Sequence, residues 1–191
     1  MKDKFILGLD VSTTCTGWCV LHHDASLAEM SSIPLSKYKS VYKKAVVVQE
    51  SIASIMKKYD IGKIYIEENL QSFRRGLSSA QTLSTLARFN GIVSLIAYQL
   101  SGIEPVHINV NAARKSLGIK IISKRKGGDP TKQQVIDWVS KNVNHASEEP
   151  LWPMKTLKSG PRKGLTILDP IAFDMADAYV IASAGINMYN T

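Results

Sequence analysis

Three short apolar runs, Phe5 to Asp10, Gly17 to His22 and Leu27 to Leu35, follow one another within the first 35 residues, separated only by turns. Runs set so closely read as a three-stranded antiparallel meander. From there the pattern alternates. Val41 to Tyr59 places Val41, Ala45, Val48, Ile52, Ile55, Met56 and Tyr59 near one face of a helix. Lys63 to Glu68 is apolar, strand-like and ends in carboxylates. Ala80 to Leu100 is a second long helix, and Pro105 to Val110 a fifth strand.

The remainder is helical with two interruptions. A short helix near Ala112 to Leu117 precedes a basic loop at 118–130, and Thr131 to Val143 has helical spacing through Val135, Trp138 and Val139. Residues 144–168 carry Pro150, Pro153, Gly160, Pro161 and Gly164 and read as one long loop. Pro170 to Met188 closes the chain as a helix with Asp169 as N-cap. A meander followed by alternating strands and helices gives an α/β fold. Its mixed five-stranded sheet, three antiparallel strands and then parallel ones, has helices on both faces. This is the ribonuclease H-like topology.

Length and composition narrow the class. The 191 residues suit a single domain, 1–191, 45% hydrophobic, that buries roughly 70% of its unfolded surface. There is no apolar run of about 18 residues, so no membrane span is expected. The opening MKDKFILGLD is too acidic and too short in its apolar part for a signal peptide. Cys15 and Cys19 lack histidine neighbours at zinc-ligand spacing and are expected as reduced thiols, which suits a protein that is not secreted. The net charge of +8 favours a polyanionic partner. Eight basic residues face two acidic ones between Ala112 and Lys141, and four (Lys155, Lys158, Arg162, Lys163) face none between Met154 and Gly164.

The acids fall at three places. Asp10 ends the first strand, and Glu67 and Glu68 end the fourth. Asp174 and Asp177 lie three apart on the last helix, with Cβ atoms about 5–6 Å apart. Taken singly, a strand-end Asp is a cap and DxxD a solvated face. Together they place charge on apolar elements, where it is costly unless a cation neutralises it. Two Mg²⁺ ions about 3.5–4 Å apart would use such carboxylates, one activating water and the other stabilising the leaving oxygen. Asp10 is then the expected bridging ligand, with Glu67 and Asp174 on opposite sides and Asp177 completing the shell or orienting the water.

GLDVSTTCTGWCVL resembles the opening hairpin of RuvC-type Holliday-junction resolvases, where G-x-D precedes Ser/Thr and T-G. YIEEN resembles the family strand ending in hydrophobic-Ile-Glu, which favours Glu67 over Glu68. ARFNGIV, PVHINVNAARKSLGI and FDMADAYVIA are similar to the helix, strand-helix and D-x-x-D-A helix that follow. The resemblance spans most of the chain in order. It implies a homodimer that makes paired nicks in four-way junctions, leaving 5′-phosphate and 3′-hydroxyl ends, in recombination or repair. It also implies catalysis and metal binding by Asp10, Glu67, Asp174 and Asp177, with Mg²⁺ replaceable by Mn²⁺. The expected setting is a bacterial or phage-infected cytoplasm or an organellar nucleoid. The segment 144–168 is longer than the matching loop of bacterial members.

Junctions are recognised by shape, so phosphate contacts should dominate. Candidates are Arg74, Arg75, Arg114, Lys115, Lys120, Lys124, Arg125, Lys126 and Lys132, the last also placed to approach the scissile phosphate. Phe73 either stacks on an unpaired base or packs on the core. The apolar half of the second long helix, Ile92 to Leu100, serves either a dimer contact or the core. Three rival readings stand beside this one. The first is a nuclease of the same fold acting on flapped DNA or RNA–DNA hybrid. The second is a non-catalytic DNA-binding module. The third rests on GLDVSTT, which resembles the phosphate loop of sugar kinases and actin-like ATPases; those need two such domains and lack the closing DxxD helix.

Overall fold

The computed structural model describes residues 4–68, 80–144 and 151–189. Strands β1 (Phe5–Val11), β2 (Cys15–Leu21) and β3 (Leu27–Pro34) form the expected meander. Helix α1 (Val41–Lys58) leads to β4 (Ile61–Glu67), which lies parallel to β1, and α2 (Ala80–Ser101) leads to β5 (Val106–Ile108), parallel to β4. The five strands run β3-β2-β1-β4-β5. Helices α3 (Val110–Ser116), α4 (Thr131–Asn142) and α5 (Ile171–Tyr189) complete the chain. This is the ribonuclease H-like fold.

Because strand side chains alternate between faces, β1 feeds two separate cores. Leu7, Leu9 and Val11 join Val48 and Ile52 of α1 and Phe89 and Val93 of α2. Ile6 joins Ala113, Val135, Val139 and the apolar length of α5 on the opposite face. Asp10 has the parity of Ile6 and therefore lies on the α5 side. On β4, Tyr65 belongs to the α5 core while Ile64 and Ile66 belong to the other, so Glu67 also faces α5.

Helix α5 reaches the sheet so closely because small residues line the contact. A Cβ on Gly8 would overlap the Ala178 carbonyl, and one on Gly17 would overlap the backbone of Asp174. Asp169 caps the helix, accepting the Ile171 N–H at 3.2 Å.

Three expectations change in detail. From Leu151 onward the supposed long loop holds a β-hairpin, β6 (Met154–Thr156) with β7 (Thr166–Leu168). Strands of three residues flanked by Gly and Pro are too short to show alternation in sequence. The basic loop contains a 3₁₀ turn at Lys124–Lys126, and Gln134 clamps it through both directions of hydrogen bonding to Ile122 at 2.8 Å. The Ile92–Leu100 segment is divided between core and surface: Val93, Ile96 and Ala97 are buried, while Leu95 and Tyr98 are 55% and 49% exposed. No described helix is long and apolar enough to cross a membrane.

Candidate active site

The four acids meet at one end of the sheet on its α5 face. Asp10 is the next residue after Leu9, which pairs with Ile66, and Glu67 is the next after Ile66. Across the other edge of β1, Asp10 pairs with Gly17, on whose bare Cα the Asp174 backbone rests. One turn further along α5 comes Asp177, 8% exposed. The main chain beside Glu67 is fixed from the other core, where buried Asn90 donates its side-chain amide to the Glu67 carbonyl at 2.9 Å. Glu68 instead turns toward Asn109, which donates to its carboxylate at 3.4 Å.

The proximity has electrostatic consequences. Burial raises the Asp10 carboxyl well above its ordinary range, and the charges of Glu67, Asp177 and Asp174 raise it further. Glu67 is pushed up to about 7, first by burial and then by Asp177, against the opposing pull of Arg114 and Lys132. Burial likewise raises Asp177, with Arg114 and Lys132 acting against it.

Two cations stand among the acids. Arg114 on α3 lies 3.5 Å from Asp177, and Lys132 in the first turn of α4 lies 3.5 Å from Asp174. At that distance Arg114 gives Asp177 an ion pair without a good hydrogen bond. Asp177 Oδ1 and Arg114 Nε accordingly remain buried without hydrogen-bond partners. Four carboxylates against two cations leave two negative charges if all are ionised.

The donors are hard oxygens, the type Mg²⁺ takes, and the orphaned Asp177 oxygen is a ready ligand atom. The shell is gathered but not closed. Among the described residues no three His, Cys, Asp or Glu side chains already converge tightly enough to hold an ion, and Asp174 and Asp177 pair with Lys132 and Arg114.

The other expected residues are distributed as follows. Arg114, expected on DNA, points inward at Asp177 with 18% of its side chain exposed. Lys115, Lys120, Lys124, Arg125 and Lys126 are exposed. Lys115 and Lys120 share a cleft with Arg114 and Thr131, so the acids adjoin a basic concavity. Phe73, Arg74 and Arg75 lie outside the described residues. Sequence reasoning passed over Gly17 and Asn90. A glycine inside a strand pattern is a signal of close backbone approach, but nothing in the sequence distinguishes Asn90 from a surface amide. Cys15, expected only as a reduced thiol, lies against Asp174, and burial first, then the charge and hydrogen bond of Asp174, push the thiol up to about 12.

No protein-family model matches the chain and no curated protein matches it in sequence. Solved structures do match in shape. A T. thermophilus RuvC in complex with a Holliday junction substrate is 13% identical, with a TM-score of 0.60 over 98% of this chain and 95% of that chain. A second Thermus thermophilus RuvC structure is 15% identical, with a TM-score of 0.60 over 97% and 95%. The yeast mitochondrial Holliday junction resolvase Ydc2 is 15% identical, with a TM-score of 0.58 over 95% of this chain and 77% of that one. The chain thus has the ribonuclease H-like fold of the RuvC-type resolvases along nearly its whole length.

Proposed function

We propose that the chain is a divalent-metal-dependent endonuclease that nicks four-way DNA junctions in pairs, working as a homodimer. The observation that carries this reading is the convergence of Asp10, Glu67, Asp174 and Asp177 from β1, β4 and α5 onto one patch, in a fold shared with proteins that resolve Holliday junctions.

Bound Mg²⁺, held by these four carboxylates, would supply an activated water and charge stabilisation at the phosphate. The chain's own residues set the stage. Asp10 and Glu67, fixed by neighbouring strands, present carboxyls whose affinity for a proton is raised by burial and the neighbouring acids, an effect that a bound cation would offset. Lys132, 58% exposed beside Asp174, can release that acid and take the scissile phosphate. Arg114 keeps Asp177 oriented from within. Lys115, Lys120, Lys124, Arg125 and Lys126 form the basic approach for the strands, and on their sequence alone Arg74 and Arg75 are assigned to phosphate contacts. The outward Leu95 and Tyr98 of α2 provide an apolar face for a second copy, and two copies place two sites for symmetric nicking.

The test compares a synthetic four-way junction with a matched linear duplex, with and without Mg²⁺, beside Asp174→Asn. The expected result is paired nicks on the junction alone, lost in the variant while binding survives. Binding without cleavage in Mg²⁺ or Mn²⁺ would reduce the protein to a DNA-binding module. Faster cleavage of flapped DNA or RNA–DNA hybrid would move it to another substrate.

A further inference from the structure

We infer that the β6–β7 hairpin is a DNA-gripping arm whose tip, Lys158, Arg162 and Lys163, clamps the backbone phosphates of a duplex arm beside the cleaved strand. The inference rests on the proposed nuclease reading for the location of the cut, and its own content is the duplex-binding surface.

The hairpin is built rather than merely polar. Its root closes where the Asp169 N–H donates to the Pro153 carbonyl at 2.8 Å. Trp152 pins that root to α4 by donating its indole N–H to Ser140 at 2.8 Å. Beyond the paired strands the ladder continues as the Leu157 N–H donates to Leu165 at 3.0 Å, and the Gly164 N–H returns to Leu157 at 2.9 Å. The tip is folded by two further turns, Lys163 to the Gly160 carbonyl at 3.0 Å and Leu165 to that of Arg162 at 3.1 Å. Gly160 and Gly164 take the left-handed conformation these turns require, at φ 80° and 88°.

Charge on this scaffold is one-sided. Lys155, at the base, has Asp169 at 3.9 Å. Lys158, Arg162 and Lys163 are exposed and have no ion pair among the described residues. Three like charges on so short a ribbon repel one another, and two-stranded ribbons are marginal alone. A purely solvated surface would be served as well by mixed signs. A polyanion with regularly spaced charges relieves the repulsion.

Position supplies the partner. Asp169, at the hairpin root, also caps α5, and Asp174 lies one turn further on. The hairpin extends about 15–20 Å from that root, on the order of five base pairs along a duplex. An arm of that length, rooted about one turn before Asp174, can span to phosphates of a duplex arm flanking the candidate cut, and no base contact is needed.

The test measures binding in EDTA, so that cleavage does not interfere. Wild type is compared with the triple variant Lys158→Ala, Arg162→Ala, Lys163→Ala and with Lys57→Ala at the far end of α1 as control. Substrates are the junction, a linear duplex and a single strand of equal length, across a salt series. Each lost phosphate contact flattens the plot of log affinity against log salt by about 0.9 on duplex DNA. The triple variant is expected to flatten it by about 2 to 3 on junction and duplex, weakening binding at 0.15 M salt by about 10- to 100-fold. The single strand and Lys57→Ala should show no such change.

A triple variant with the wild-type slope on both duplex substrates overturns the inference, as does wild type that binds no DNA. Cleavage distinguishes the two readings. A flattened slope without Mg²⁺-dependent nicking by wild type keeps the arm and removes the nuclease. Nicking with an unchanged slope does the reverse.

Discussion

Gly17 lies directly opposite Asp10 in the β1–β2 pair, and its missing side chain is the space in which the backbone of Asp174 sits. The distance between the acids of β1 and α5 is therefore set by a residue that carries no chemistry. Gly17→Ala should push the first turn of α5 away from the sheet, destabilising the fold by about 1–3 kcal/mol as overpacking does. Metal-dependent activity should fall further than the loss of stability explains. Tm and nicking rate measured on the same preparation separate the two effects.

The buried carboxylates should make the metal-free protein pH-sensitive in an unusual direction. Their folded-state pKa values are raised, for Glu67 to about 7 by burial and the neighbouring Asp177. Across the interval from the ordinary carboxylate range to about 7 the folded form therefore binds more protons than the unfolded chain. Stability is then fully present below that interval and is lost as pH rises through it. Tm in EDTA should fall between pH 5 and pH 8, and Glu67→Gln should flatten the trend. Saturating Mg²⁺ at about 100 times its Kd should restore about 2.7 kcal/mol at pH 8 and little at pH 5, where protons hold the same oxygens.

Arg114 and Lys132 stand at equal distances from their acids, yet their removal should have opposite signatures. Arg114→Ala leaves Asp177 buried without a cation, at a cost of about 3 kcal/mol, the low end for such pairs because Asp177 can take up a proton. Arg114→Ala combined with Asp177→Asn should recover most of it. Lys132 is 58% exposed, beside an Asp174 side chain that is 19% exposed, so Lys132→Ala should change stability by only about 1 kcal/mol and still lower the nicking rate by about 10²-fold. Urea titrations beside single-turnover cleavage provide the comparison.

Both cysteines should be silent in the native state. Cys19 is fully buried and Cys15 nearly so, and burial raises both thiols, Cys15 to about 12 with help from Asp174. Four strand residues apart, they are separated by about 13 Å, beyond disulfide reach. Neither should react with iodoacetamide at pH 8 until urea unfolds the chain. Labelling of folded protein would show that α5 lifts from the sheet.

Much of this fold was legible because β1, β2, β4 and the long helices bury continuous apolar faces. The choice of Glu67 over Glu68 came from a family likeness, and strand parity on β4 puts Glu67 on the α5 face with Tyr65. The β6–β7 hairpin was not legible, since three-residue strands rich in polar residues carry no period. Nor was the inward turn of Arg114, because a charged residue in a basic segment looks the same whether it meets phosphate or Asp177. That distinction is made by the crossing of α3 and α5, which no local pattern contains.

Helix α5 is at once the bearer of Asp174 and Asp177 and the most deeply buried element, with every residue from Met175 to Gly185 inside. Such a helix has no local way to open. Its amides should exchange with solvent deuterium only when the whole fold comes apart, at the slowest rate in the molecule. Half of the candidate site would then be the most persistent structure the chain possesses, and whatever moves during a reaction cycle must come from the DNA, the side chains or the basic segments around it.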